Sequence, residues 1–92
     1  MTAVAAGLFP VRVMVTEVWD QVELQVGPET TVAELKRRAL VEALGFAAVD
    51  SDVYQVKFRG AAVLDEWLTL RALGAGPNAP FIVMLRRRRP VR

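Results

Sequence analysis

Ninety-two residues with a mass of 10.2 kDa allow one domain with one modest core. With 53% apolar and 24% charged residues, the composition is that of a globular chain and not a disordered one. Cysteine and histidine are both absent, which excludes disulfide scaffolds, zinc ribbons, thiol nucleophiles and Ser–His relays.

The charge is unevenly spread. Up to Val56 there are four basic side chains against eight acidic ones, and from Lys57 onward eight against two. Five of the arginines fall in the last seven residues, so the sequence pI of 9.7 is largely a property of that stretch. The opening segment to Pro10 is apolar but brief and lacks the charged start of a secretory signal. With no run long enough to span a bilayer, a cytoplasmic location is expected.

Residues 1–10 read as an N-terminal arm, with Leu8 and Phe9 available to cap one end of a core. From Val11 to Thr16, Val11, Val13 and Val15 alternate as on a strand. Asp20-Gln21 separates this run from a second one, in which Val22, Leu24 and Val26 face one way and Glu23 and Gln25 the other. Two such runs form a hairpin, and without Asn-Gly or Asp-Gly its turn should exceed two residues. Gly27-Pro28 ends the second strand.

Thr31 followed by Glu34 is a capping box. Val32, Leu35, Ala39, Leu40, Ala43 and Leu44 then mark a helical stripe over about 32–44, and Gly45 supplies the stop. Lys36, Arg37, Arg38 and Glu42 are assigned to the face away from that stripe. Phe46–Asp52 is a connector. Tyr54–Phe58 alternates again and stops at Arg59-Gly60, and Ala61–Leu64 offers a short edge strand. Asp65-Glu66 turns the chain, with Trp67 expected to pack under the following loop. Thr69–Gly74 reads as a short capped helical turn, and Gly76–Pro80 as a loop. Phe81–Leu85, apolar on both faces, belongs in the middle of a sheet.

This order predicts an α+β fold: a mixed sheet of four to five strands covered by one main helix. The ordered set of marks resembles the ubiquitin-like β-grasp superfamily over about residues 11–88. Pro28-x-x-Thr31-Val32-x-x-Leu35-Lys36 looks like the start of the ubiquitin helix, and Phe58-Arg59-Gly60 is similar to its Phe-Ala-Gly. Leu64-Asp65 with Thr69-Leu70 resembles its Leu-Glu-Asp…Thr-Leu stretch, with about one extra residue. Val83-Met84-Leu85-Arg86 resembles the closing Leu-Val-Leu-Arg. The implied organisation is an arm (1–10), a β-grasp domain (11–86) and an Arg-rich tail (87–92).

Two departures from that family bear on function. No Gly-Gly occurs in the sequence, so the adenylation chemistry of conjugated relatives is not expected. Ubiquitin is read through a leucine, an isoleucine and a valine on its outer sheet face. The matching positions here are near Val18-Trp19, Lys57 and Met84, with lysine replacing the central isoleucine.

If Val13, Val15, Val56, Phe58, Phe81, Val83 and Leu85 point to the helix, then Arg12, Met14, Lys57, Arg59, Ile82, Met84 and Arg86 point out. Basic residues interleaved with Met14, Ile82 and Met84 suit a partner-binding surface, unless the arm or a second copy covers it. Trp19, in the hairpin turn, is either a binding anchor or a local lid.

No nucleophile–base pair can be assembled, so catalysis is not expected. Asp50 and Asp52 fall short of a calcium loop, and Gly74-Ala-Gly76 precedes a strand and not a helix, so no metal or cofactor is expected. The leading expectation is a non-catalytic protein-interaction module, an accessory subunit or adaptor docking through Met14, Trp19, Lys57, Arg59, Ile82 and Met84. The fold resemblance points in the same direction, towards bacterial accessory proteins such as the small ubiquitin-like proteins of type VII secretion systems. The alternative is anion or nucleic-acid binding through Arg86, Arg87, Arg88 and Arg89, a run that also fits a solvated terminus. A covalent modifier is a third reading. Monomer and homodimer both remain open.

Overall fold

The computed structural model describes residues 7–45 and 51–85. Its strands are β1 (Phe9–Val15), β2 (Asp20–Val26), β3 (Tyr54–Phe58), β4 (Ala61–Ala62) and β5 (Ala79–Leu85). Its helices are α1 (Val32–Leu44) and the single turn α2 (Leu70–Leu73), with a 3-10 turn at Ser51–Val53. The five strands form one sheet in the order β2-β1-β5-β3-β4. β1 and β5 run parallel at its centre, and the other pairs are antiparallel. The expected mixed sheet under one main helix is present, and β5 lies in the middle as its two apolar faces require.

Alternation and helical spacing build the core together. Val11, Val13 and Val15 of β1, Val22, Leu24 and Val26 of β2, and Val56, Phe81 and Val83 are buried against Val32, Leu35, Ala39 and Leu40 of α1. Phe58 and Phe81, opposite one another on β3 and β5, stack with ring centroids 4.9 Å apart. Leu85 departs from its inward parity. On the last rung of the ladder, opposite Tyr54, it is 47% exposed, so its place at the sheet end overrides the alternation.

α1 begins and ends where the sequence places it. The Thr31 side chain accepts the Glu34 amide at 3.1 Å, and Gly45 takes the left-handed conformation at φ 75°. The remaining free amides of its first turn are met from afar: Val32 N–H donates to the Leu68 carbonyl at 3.0 Å and Ala33 N–H to that of Glu66 at 2.9 Å. α2 repeats the pattern on a small scale, with Thr69 as its cap and Gly74 as its stop.

Four expectations need correction, three of them local. β1 starts at Phe9, not Val11, because Pro10 sits opposite Gln25 at a rung that needs no amide from β1. Asp20 and Gln21 belong to β2, and the turn is the four residues Thr16–Trp19, closed by Trp19 in the left-handed region at φ 51°. Trp67 does not pack under its loop but stands 80% exposed, because the loop carbonyls on either side of it are drawn onto α1.

Lys36 is the largest correction. Its place is in the core, 2% exposed. Its ammonium meets Glu66 Oε1 at 2.7 Å and donates to the Tyr54 carbonyl at 3.0 Å. One charged side chain thereby ties α1, β3 and the 63–68 loop together. Its position, four residues after Val32 and four before Leu40, puts it on the buried stripe.

Candidate docking surface

Strand register fixes what stands beside what on the face turned away from α1. Met14 of β1 is opposite Ile82 of β5, and Ile82 is opposite Lys57 of β3. The row continues to Gln21 on one side and Ala62 on the other. Met84 lies on the next outward rung of β5, opposite Gln55. Ile82 is exposed, while Met14, Lys57 and Met84 are half-buried by their neighbours. Arg12 is exposed one rung away, between Glu23 and Pro80. The face is thus a short apolar strip of two methionines and an isoleucine, with the cations Lys57 and Arg12 at its border.

The other two expected site residues stand apart from this strip. Trp19 is 77% exposed in the turn after β1, at the end of the sheet where Val15 meets Val83. Arg59 is at the other end, in the two-residue turn joining β3 and β4, where it and Gly60 both take positive φ (56° and 85°). Its guanidinium lies over the Phe58 ring, 5.0 Å from the centroid. Arg86, Arg87, Arg88 and Arg89 lie outside the described residues.

Trp19 is the more telling of the two. The left-handed conformation costs a bulky residue roughly 1 kcal/mol that glycine escapes. A strained, exposed tryptophan gains nothing from burial to offset this. Such outliers tend to be kept where the side chain has a task.

A polar contact that sequence reasoning did not foresee lies at the same end. The Tyr54 hydroxyl donates to Glu17 Oε1. Burial, and then the hydrogen bond and charge of Glu17, push the phenol up to about 12. Tyr54 therefore stays protonated and fixes the turn to β3; it is not placed to act as a base near neutrality. Among the described residues no group of three or more acidic side chains could hold a metal ion, and no helix is long and apolar enough to cross a membrane.

No family model and no curated protein matches the sequence. Solved structures do match. The chain is similar to a ubiquitin from Caldiarchaeum subterraneum, with a TM-score of 0.74 at 20% identity over 88% of this chain and 96% of that one. A ubiquitin-like domain of an Arabidopsis thaliana protein matches with a TM-score of 0.72 at 18% identity, covering 100% of this chain and 89% of the other. A de novo design based on ubiquitin matches with a TM-score of 0.72 at 21% identity, covering 94% and 98%. Sheet order, central parallel pair, capped helix and these likenesses agree: the chain has the ubiquitin-like β-grasp fold.

Proposed function

We propose that this domain is a non-catalytic interaction module, an accessory subunit or adaptor that docks a protein partner through its outer sheet face. The observation that carries the reading is the strip of Met14, Ile82 and Met84, set on rigid strands and bordered by Lys57 and Arg12. Methionines adapt to varied partner shapes, and an ordered apolar strip with a polar rim is the usual anatomy of an interface. Exposed Trp19, apart from the strip in the turn after β1, offers a second contact point. The lysine at position 57 disfavours an apolar knob at the centre and favours a partner with a carboxylate there. The absence of histidine and cysteine supports a role without catalysis.

The test is a pull-down from native extract with the wild-type chain and with Met84→Glu and Ile82→Glu, each checked for folding by circular dichroism. A protein retained by the wild type and lost with both variants supports the reading. Retention of the same protein by both variants defeats it. A chain ending at Leu85 goes through the same experiment at low and high salt. Nucleic acid recovered by the full chain alone, and lost at high salt, would transfer the function to Arg86–Arg89.

A further inference from the structure

The end of the sheet at which β1 stops carries three exposed apolar side chains. β1 and β5 run parallel towards it, with Val15 beside Val83, and β5 continues two residues further to Leu85. Thr16 N–H donates to the Val83 carbonyl at 3.0 Å, which lays the turn Thr16–Trp19 alongside the end of β5. Val18, Trp19 and Leu85 are all exposed there. The turn is held in place from within: Val18 N–H donates to the Val15 carbonyl at 3.3 Å and Trp19 N–H to that of Thr16 at 3.2 Å, while the Glu17 carboxylate accepts the Tyr54 hydroxyl. What the turn leaves to solvent is the Val18 side chain and the Trp19 indole.

The chain leaves the sheet at this same end. Of the seven residues after Leu85, five are arginine, four of them consecutive. Seven residues reach at most about 25 Å. Among the described residues, the acids at this end are Glu17, Asp20 and Asp52. Glu17 is bonded to Tyr54, Asp20 opens β2 opposite Val15, and Asp52 lies in the 3-10 turn before β3. The arginines outnumber them and can extend past them.

We propose that this end of the domain is a membrane-contact site whose occupant is the surface of a bilayer rich in anionic lipid. The Trp19 indole settles at the boundary between headgroups and acyl chains, Val18 and Leu85 enter the hydrocarbon beside it, and the arginines neutralise the headgroups. One weak anchor gives marginal binding, so the apolar tip and the basic run act jointly. A nucleic acid would satisfy the arginines but not the tip, since Val18 and Leu85 have no ring to stack on a base. The left-handed backbone at Trp19 then has its compensation in burial of the indole. The contact lies apart from the strip of Met14, Ile82 and Met84 and does not depend on it.

Flotation of the full chain with vesicles of phosphatidylcholine alone, and of equimolar phosphatidylcholine and phosphatidylserine, tests this. The expected result is binding to the second only, weakened by high salt. Trp19→Gly removes backbone strain and so keeps the fold, and it weakens binding about tenfold. Arg86→Gln, Arg87→Gln, Arg88→Gln and Arg89→Gln together weaken it about a hundredfold or more. In a Trp67→Phe chain Trp19 is the sole tryptophan, and its emission shifts to the blue on anionic vesicles. Ile82→Gln, in the outer strip, leaves binding unchanged, which keeps this result distinct from the docking of a protein there. No flotation with anionic vesicles, binding indifferent to Trp19→Gly, an unshifted Trp19 emission, or loss of binding with Ile82→Gln overturns the proposal. Displacement from the vesicles by duplex DNA, with Trp19→Gly without effect, would overturn it in favour of a nucleic-acid-binding tail.

Discussion

Replacing Glu66 with glutamine tests the account of the buried lysine. Lys36 is 2% exposed and has two partners, the Glu66 carboxylate at 2.7 Å and the Tyr54 carbonyl at 3.0 Å. Removing one member of a buried ion pair leaves an uncompensated charge and costs about 3–5 kcal/mol. A domain of this length has about 5–14 kcal/mol of total stability, so Glu66→Gln removes a large share of it. The two members differ in burial, since the Glu66 side chain is 18% exposed against 2% for Lys36. Glu66 can turn partly to water when its partner is lost, whereas Lys36 cannot. Lys36→Met should therefore cost less, about 1–3 kcal/mol. Lys36→Met combined with Glu66→Leu removes both charges and should return to within about 1–2 kcal/mol of the wild type. Urea unfolding followed by circular dichroism measures these proteins together with Glu66→Leu alone, which closes the cycle with Lys36→Met and gives the coupling. Amide exchange at Ala33, whose N–H is bound to the Glu66 carbonyl, should quicken in the single variant. A cost below about 1 kcal/mol for Glu66→Gln, with no coupling to Lys36→Met, would refute the reasoning.

Trp19→Gly relieves the left-handed strain and should raise stability by up to about 1 kcal/mol, read from the urea midpoint; a lowered midpoint would show that the indole supports the fold. Tyr54 is the only tyrosine, so phenolate absorbance follows it alone. Its titration should lie at about 12 in the wild type and move towards 10 with Glu17→Gln. Because the folded value is raised, this group's contribution to stability is complete below pH 10 and is lost as pH rises through about 12; a loss of that contribution on acidification instead would contradict the assigned cause. Thr31→Ala deletes the cap on Glu34 and should cost about 1 kcal/mol by urea unfolding, with α1 helicity as a second readout.

Local chemistry made much of this fold legible. Thr31 and Gly45 bound α1 to the residue because caps act within a few positions. Unbroken apolarity put β5 at the centre because such a strand has no face suited to water. Lys36 was misplaced for the opposite reason: its burial depends on Glu66, thirty positions away, and on a backbone carbonyl of β3. The helical spacing did signal it, and the paired acids Asp65-Glu66 held its partner; charge alone had argued it onto the surface. Trp67 failed in the same way, since the two carbonyls that turn it outward are held by helix amides no local pattern reveals. Of the expected docking residues, period-two alternation correctly grouped Met14, Lys57, Ile82 and Met84. Trp19 and Arg59 sit in turns at opposite ends of the sheet, where alternation carries no information about direction.

The central pairing of β1 with β5 also has a bearing on biosynthesis. The earliest strand and the latest one are neighbours, so the sheet lacks its middle until β5 has left the ribosome. Until then the β1–β2 hairpin and α1 can meet, but β3 has no strand to join them to. The decisive step of folding should therefore await β5 and be governed by a contact spanning about seventy residues, with a rate set by chain closure more than by helix or hairpin formation.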